Sequence, residues 1–191
     1  MDYLLVIFIS YLLGSIPFGF LLTKKILKKD IRNIGSGNIG ATNVLRAGNK
    51  LVGYGTLLLD VLKAIIPVIY IKYNFPEFIF VASLCVFLGH VFPIWLKFKG
   101  GKGVAAYVGI LFSINLLFGF IFVFVWLTIF LLCRFSSLSS IIATLSIPIY
   151  LFIFDQNNLF FYSIMFILIF YTHRDNVKRL KNKEENKSKI Y

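Results

Sequence analysis

Carboxylates are scarce in this chain. Eight Asp and Glu stand against 20 Lys and Arg, and charged residues of both signs make up only 15% of the sequence. With 59% hydrophobic and 18% aromatic residues, the chain holds more apolar surface than a soluble domain of 191 residues can hide, so a soluble fold is excluded. Cysteine is nearly absent: Cys85 and Cys133 lie in apolar runs without C-x-x-C or metal-ligand spacing, which reads as two inert core thiols and no metal site. The first apolar run, residues 3–22, has no basic residue before it and no A-x-A cleavage pattern after it, so it is not a cleavable signal peptide. The 20 basic residues flank apolar runs and form no single basic domain, which argues against nucleic acid and for retention of Lys and Arg on one side of a membrane.

What is present is a series of apolar runs. A helix needs about 20 such residues to cross a bilayer core. Candidates are residues 3–22, 51–71, 78–96, 104–133, 138–154 and 159–171. The fourth run would extend about 45 Å as one helix, well beyond a core of about 30 Å. Cut near "SIN", residues 113–115, it gives two short spans and seven in all. The N-terminus then lies outside, the C-terminus is cytoplasmic, and the inner segments 23–50, 97–103, 134–137 and 172–191 carry 18 of the 20 basic residues. Without the cut, Arg134 and the basic tail would face outward. The expected fold is therefore all-α, a polytopic bundle of seven transmembrane helices forming one domain over residues 1–191. A basic cytoplasmic tail from about residue 177 is expected to be frayed and exposed.

Two basic residues lie outside the inner segments. Lys72 sits at an outer helix end. Lys63 is inside the second span, three residues from Asp60 and on the same helix face, so the two charges are expected to neutralise one another; the pair either fixes helix packing or shapes the floor of an active site.

The remaining polar residues concentrate in four inner loops. "GSGNIG", residues 35–40, matches the dinucleotide fingerprint G-x-G-x-x-G, but the preceding "TKKILKKDIRN" is a basic amphipathic run and no buried strand enters it, so a nucleotide fold is excluded. What survives is a glycine-rich turn opening a helix at "GATNVLRA", with Thr42 and Arg46 four apart on one face and backbone N–H groups suited to an anion. In the second loop, "GHVFPIWLKFKGGKGVA" (89–105), Gly100, Gly101 and Gly103 allow close backbone approach, and Lys102 supplies a point charge. It is not a Walker A loop, because Gly103 occupies the Ser/Thr position. The third, "RFSSLSS" (134–140), offers Arg134 and serine hydroxyls, and the fourth, "THRDN" (172–176), places His173 and Asn176 three apart. Taken together, four loops of anion-binding types in a chain with few other polar residues point to a phosphorylated substrate at the cytoplasmic interface.

These stretches, with "GSIPFG" (14–19), "LLDVLKAIIP" (58–67) and "HRDNVKRL" (173–180), resemble the bacterial acyl-phosphate:glycerol-3-phosphate acyltransferases, the PlsY family, from the first span into the tail. The resemblance implies a seven-span enzyme of the bacterial cytoplasmic (inner) membrane with its motifs facing the cytoplasm. Such an enzyme transfers a fatty acyl chain from acyl phosphate to the 1-hydroxyl of glycerol 3-phosphate, giving lysophosphatidic acid and phosphate, without metal or cofactor. It implies Arg46, Lys102, His173 and Asn176 as catalytic residues. Ser36, Gly37, Asn38, Ala41, Thr42, Asn43, His90, Gly100, Gly101, Gly103 and Ser139 are implied as substrate-binding. The implied partners are the two substrates, the lipid bilayer and an upstream enzyme that forms acyl phosphate. One departure is Ala106, where the family usually shows Thr.

An acyl phosphate is an activated mixed anhydride, so the protein must mainly position two anions and one hydroxyl. The His-x4-Asp pair of acyl-CoA-dependent acyltransferases is missing: five residues after His90 comes Trp95, and five after His173 comes Lys178. No protein base stands out, which leaves a substrate phosphate oxygen to take the hydroxyl proton, Arg46 and Lys102 to neutralise phosphate, and His173 with Asn176 to orient glycerol 3-phosphate. Competing readings are a transporter for an organic phosphate, with the glycine loops re-entrant, and a purely structural membrane protein.

Overall fold

The computed structural model describes residues 3–188; the last residues of the expected basic tail, 189–191, lie outside the described residues. The described residues form ten α-helices joined by turns and loops. It divides between Ile114 and Asn115 into two compact units.

The first unit begins with α1 (Tyr3–Gly14), which stops because Pro17 cannot donate to the helix ladder, and restarts as α2 (Phe18–Leu22). A π-helical turn, Thr23–Leu27, follows and ends with Lys28 in the left-handed region. After a loop come α3 (Ala41–Arg46) and α4 (Lys50–Asn74), whose first turn is capped by the Asn49 side chain accepting from Val52 N–H at 2.9 Å. Helix α4 is about 37 Å long, enough to cross a bilayer core. Then follow α5 (Ile79–Val91), a glycine-rich loop, and α6 (Val104–Ile114). Helix α1 packs on α5 and α4 on α6. The α1–α5 crossing is backbone to backbone: a Cβ on Gly89 would run into the carbonyl of Tyr11, so only glycine permits the approach.

The second unit contains α7 (Leu116–Cys133), α8 (Ser136–Phe154), α9 (Leu159–Thr172) and α10 (Arg174–Lys181). Helix α8 packs against both α7 and α9. Phe118 meets Tyr162 edge to face at 5.3 Å, and Trp126 donates to Ser140 Oγ at 3.0 Å. Helix α7 is apolar on every side with only Phe118, Gly119 and Phe122 buried, the pattern of a helix bathed in lipid.

Among the described residues, five helical segments are long and apolar enough to cross a membrane: Tyr3–Leu27, Lys50–Asn74, Pro76–Leu96, Leu116–Cys133 and Ser136–Phe154. Val104–Ile114 and Leu159–Thr172 are apolar but shorter. The fourth run is indeed cut at 113–115. Asn115 leaves the helical region and its side chain accepts from Leu117 N–H at 2.9 Å, starting α7. Lys72, from the far end of α4, donates to the carbonyls of Ser113 and Ile114 at 2.9 and 3.0 Å, closing the C-terminus of α6. A residue that charge counting treats only as an outer-end cation is thus the cap of the neighbouring helix.

The tail differs from expectation. Residues 174–181 are helical, and beyond them Glu184 N–H bonds Arg179 O at 2.8 Å and Ser188 N–H bonds Arg134 O at 2.8 Å, so the tail is tied to the start of α8 rather than frayed.

A hydrogen bond from a charged group contributes roughly 1.5–3 kcal/mol. Lys72→Met should therefore lower the thermal midpoint of the detergent-solubilised protein by about 5 °C, and differential scanning fluorimetry is the check.

Candidate active site

The first glycine loop is shaped by its own side chains. Asp30 caps the turn Ile31–Asn33 by accepting from Arg32 N–H at 3.0 Å and grips the Arg32 guanidinium at 2.6 Å; that pairing pulls the Asp30 carboxyl down from 3.8 to about 2. Asn43 is buried at the centre of the loop. Its Oδ1 accepts from Ser36 N–H at 3.0 Å, while Nδ2 donates to the carbonyls of Ile34 and Asn38 at 2.8 Å each and of Ile31 at 3.3 Å. One amide thus fixes the path of residues 31–38, and Asn38 in turn accepts from Gly40 N–H at 2.8 Å, opening α3. On that helix Thr42 is exposed and Arg46 half-buried, one turn apart on one face, as the sequence spacing requires. Ser36 is exposed, and Gly37 and Ala41 are half-buried beside them. Arg46 borders a surface depression shared with Lys29, Asp30 and Asn33.

The second loop shares a floor with the first. Leu96 packs into one apolar cluster with Ile31, Ile39, Val44 and Val52. Its backbone is pinned from α1, where Tyr11 donates to Phe92 O at 2.7 Å, and from the helix break, where Trp95 Nε1 donates to Ser15 Oγ at 2.8 Å. The glycines face inward. Gly100 N–H bonds Val91 O at 3.0 Å, Gly101 N–H bonds His90 O at 3.1 Å, and a Cβ on Gly101 would overlap the His90 ring. Their small size therefore makes room for the protein itself, with Lys102 held half-buried between Gly101 and Gly103.

His90 is 4% exposed and packs beneath that loop next to the intramembrane charges. As the spacing predicts, Lys63 Nζ lies 2.7 Å from Asp60 Oδ1, and both are buried. The lysine also donates to Ile16 O at 2.7 Å, taking up a carbonyl at the helix break.

In the second unit His173 is the hinge between α9 and α10. It is buried, and its Nδ1 lies 2.8 Å from Ile169 O, which assigns the proton to Nδ1 and leaves the lone pair on Nε2. Asn176 stands one turn on, also buried, and its Nδ2 donates to Glu185 Oε1 at 2.7 Å. The same carboxylate accepts from Ser137 Oγ at 2.9 Å and from Arg179 Nε at 2.7 Å. Ser139 is buried and back-bonds to Phe135 O at 2.9 Å, whereas the Ser137 hydroxyl reaches across to the tail. Sequence reasoning counted Ser137 among the hydroxyls of the third loop but passed over Glu185. The readable signal was the pair Glu184–Glu185 in an otherwise basic tail, with Glu185 six residues from Arg179.

Long apolar helices with most of their cationic side chains at helix ends and in the connecting segments define an integral membrane protein. The chain belongs to the glycerol-3-phosphate acyltransferase family, PlsY: that family's sequence profile, described as "Glycerol-3-phosphate acyltransferase", matches residues 4–183. It is 67% identical over 191 residues to the glycerol-3-phosphate acyltransferase of Pelagibacter ubique (strain HTCC1062), covering 100% of both chains. It is 48% identical over 181 residues to that of Bradyrhizobium diazoefficiens, covering 94% of this chain and 91% of the relative. Among solved structures it resembles crystal structures of PlsY, an integral membrane glycerol 3-phosphate acyltransferase, at 40% identity, covering 97% of this chain and 94% of that one. The TM-score is 0.90 for the glycerol 3-phosphate form and 0.87 for the lysophosphatidic acid form.

Burial alone would raise the Glu185 carboxyl, but hydrogen bonds from Arg179, Asn176 and Ser137 hold it below its ordinary 4.5. A lowered carboxylate stabilises the fold above its unfolded value and ceases to do so as pH falls through the folded one. Pepsin should therefore cleave the tail slowly at about pH 5 and readily at about pH 3. In Glu185→Gln the two rates should converge once the protease's own pH dependence is subtracted, as read by mass spectrometry.

Proposed function

We infer that the chain transfers a fatty acyl group from acyl phosphate to the 1-hydroxyl of glycerol 3-phosphate, giving lysophosphatidic acid and inorganic phosphate. The observation that carries this reading is the near full-length likeness to PlsY in both a glycerol 3-phosphate form and a lysophosphatidic acid form, one an acceptor and the other an acylated product. The hydroxyl oxygen attacks the acyl carbonyl, the carbon–oxygen bond to phosphate breaks, and the hydroxyl proton ends on a phosphate oxygen. The donor is already activated and its leaving group is a stable anion, so positioning and charge neutralisation carry the reaction, with no metal or cofactor required.

The roles follow from the residues. In the first unit Arg46, on the outward face of α3, and Lys102, held in its glycine loop, neutralise phosphate charge. Ser36, Asn38 and Thr42 line the same loop and bind substrate. In the second unit His173, with its lone pair on Nε2, and Asn176 orient glycerol 3-phosphate. No carboxylate is assigned as base: Asp60 is bound to Lys63, and Glu185 to Arg179, Asn176 and Ser137.

We place the enzyme in the bacterial cytoplasmic membrane with seven spans, the two short apolar helices included, and its loops on the cytoplasmic side. That side carries most of the Lys and Arg. An enzyme that forms acyl phosphate must act upstream. A periplasm-dependent reporter fused after Asn157 should be active and one fused after Lys183 inactive; the reverse at Asn157 overturns the seven-span arrangement.

Purified in detergent with a chelator present, the protein should acylate glycerol 3-phosphate from palmitoyl phosphate and not from palmitoyl-CoA, with phosphate release and lipid product both measured. Arg46→Ala and Lys102→Ala should each lower kcat/KM by about 10²-fold or more, the scale of one charge-assisted phosphate contact in a partly dry site. Uptake of labelled glycerol phosphate into proteoliposomes without chemistry would indicate a transporter instead.

A further inference from the structure

A buried ion pair inside a membrane segment is a weak source of stability, because well-packed apolar residues of the same size serve equally well. Its neighbours matter more. Asp60 and Lys63 are both about 95% buried or more, and Asp60 Oδ1 lies 3.8 Å from Nδ1 of His90. That nitrogen has no hydrogen-bond partner among the described residues; it faces Asp60 Oδ1 beyond direct hydrogen-bond reach, and the Lys63 cation acts on the same ring. The opposite edge of the ring, Nε2, is the atom that a side chain at Gly101 would strike, and the His90 carbonyl accepts the Gly101 N–H. His90 therefore holds residue 101 by ring and by backbone, and residue 102 is the lysine. On the other side, Lys63 secures the Ile16 carbonyl and lies 5.8 Å above the Phe18 ring, so the whole assembly is anchored to the α1–α2 break.

We propose that Asp60 and His90 are positioning residues for the acyl transfer. Asp60, with its charge offset by Lys63, sets the orientation of the His90 imidazole, and the imidazole supports the Gly100–Gly103 loop that presents Lys102 to substrate phosphate. His90 thereby acts through Lys102 and not by touching substrate. The proposal rests on the reading of Lys102 as a phosphate contact given above.

Two double variants separate positioning from packing. Asp60→Asn with Lys63→Met removes both charges and keeps an acceptor facing His90. Asp60→Leu with Lys63→Met removes both charges and the acceptor. The first should stay within about threefold of wild type in kcat/KM, and the second should raise KM for palmitoyl phosphate by about tenfold with a similar thermal midpoint. Because the effect runs through Lys102, placing both pairs in a Lys102→Ala background should shrink that tenfold gap to less than about threefold. Equal kinetics for the two pairs, or a gap that persists undiminished without Lys102, overturns the proposal. If the leucine variant does not purify as a monodisperse protein, His90→Leu carried through the same two backgrounds gives the same readout. Lys102→Ala alone is the control: wild-type kinetics there refutes the phosphate role of Lys102, whereas a large loss there combined with equal pair variants refutes only the positioning role.

Discussion

A break in an apolar helix leaves carbonyls and N–H groups that need partners, and at three breaks among the described residues a named side chain supplies one. At the α1–α2 break the partner is Lys63, which takes the Ile16 carbonyl while Asp60 offsets its charge. At the end of α6 it is Lys72, bound to the carbonyls of Ser113 and Ile114. At the α9–α10 junction it is the His173 ring, bound to Ile169 O. The few polar side chains of an apolar protein are thus concentrated where the backbone is interrupted, and the interruptions are what bring loops bearing Arg46 and Lys102 into defined positions.

The apolar runs and the need to cut a run of 30 residues were legible because they depend on composition over long windows. The Asp60–Lys63 pair was legible for the same reason, a spacing of three inside an apolar run. Side-chain commitments within loops were not. Asn43 looks like a ligand contact in a motif, yet its amide is used up by Ile31, Ile34, Ser36 and Asn38. Gly101 looks like an open approach for substrate, yet its hydrogen side is filled by His90. The tail looks disordered by its charge, but the carboxylate of Glu185 gathers Arg179 and Asn176 from the preceding helix and Ser137 from 48 residues upstream. Long-range pairings of that kind leave no periodic trace.

Motif likeness and geometry are informative about different things. Motif likeness carries chemistry, and so identifies the reaction class. Geometry assigns labour: Ser137 and not Ser139 extends its hydroxyl to the tail, and His173 is tautomerically fixed by its own helix. Ala106, the one departure from the resemblance, is fully buried, so its methyl group sits in packing.

Helix α4 runs from Lys50, and the Asp60–His90–Gly101 contact meets it ten residues along, about 15 Å from that end. The His90–Gly101 contact is therefore level with the body of an apolar helix and not with its end. For a substrate with a long hydrocarbon tail this changes the cost of encounter. Lifting sixteen carbons into water would require on the order of 12 kcal/mol at about 0.8 per methylene. A headgroup that reached that level with its tail still dissolved would be supplied by diffusion within the plane of the sheet, in place of extraction.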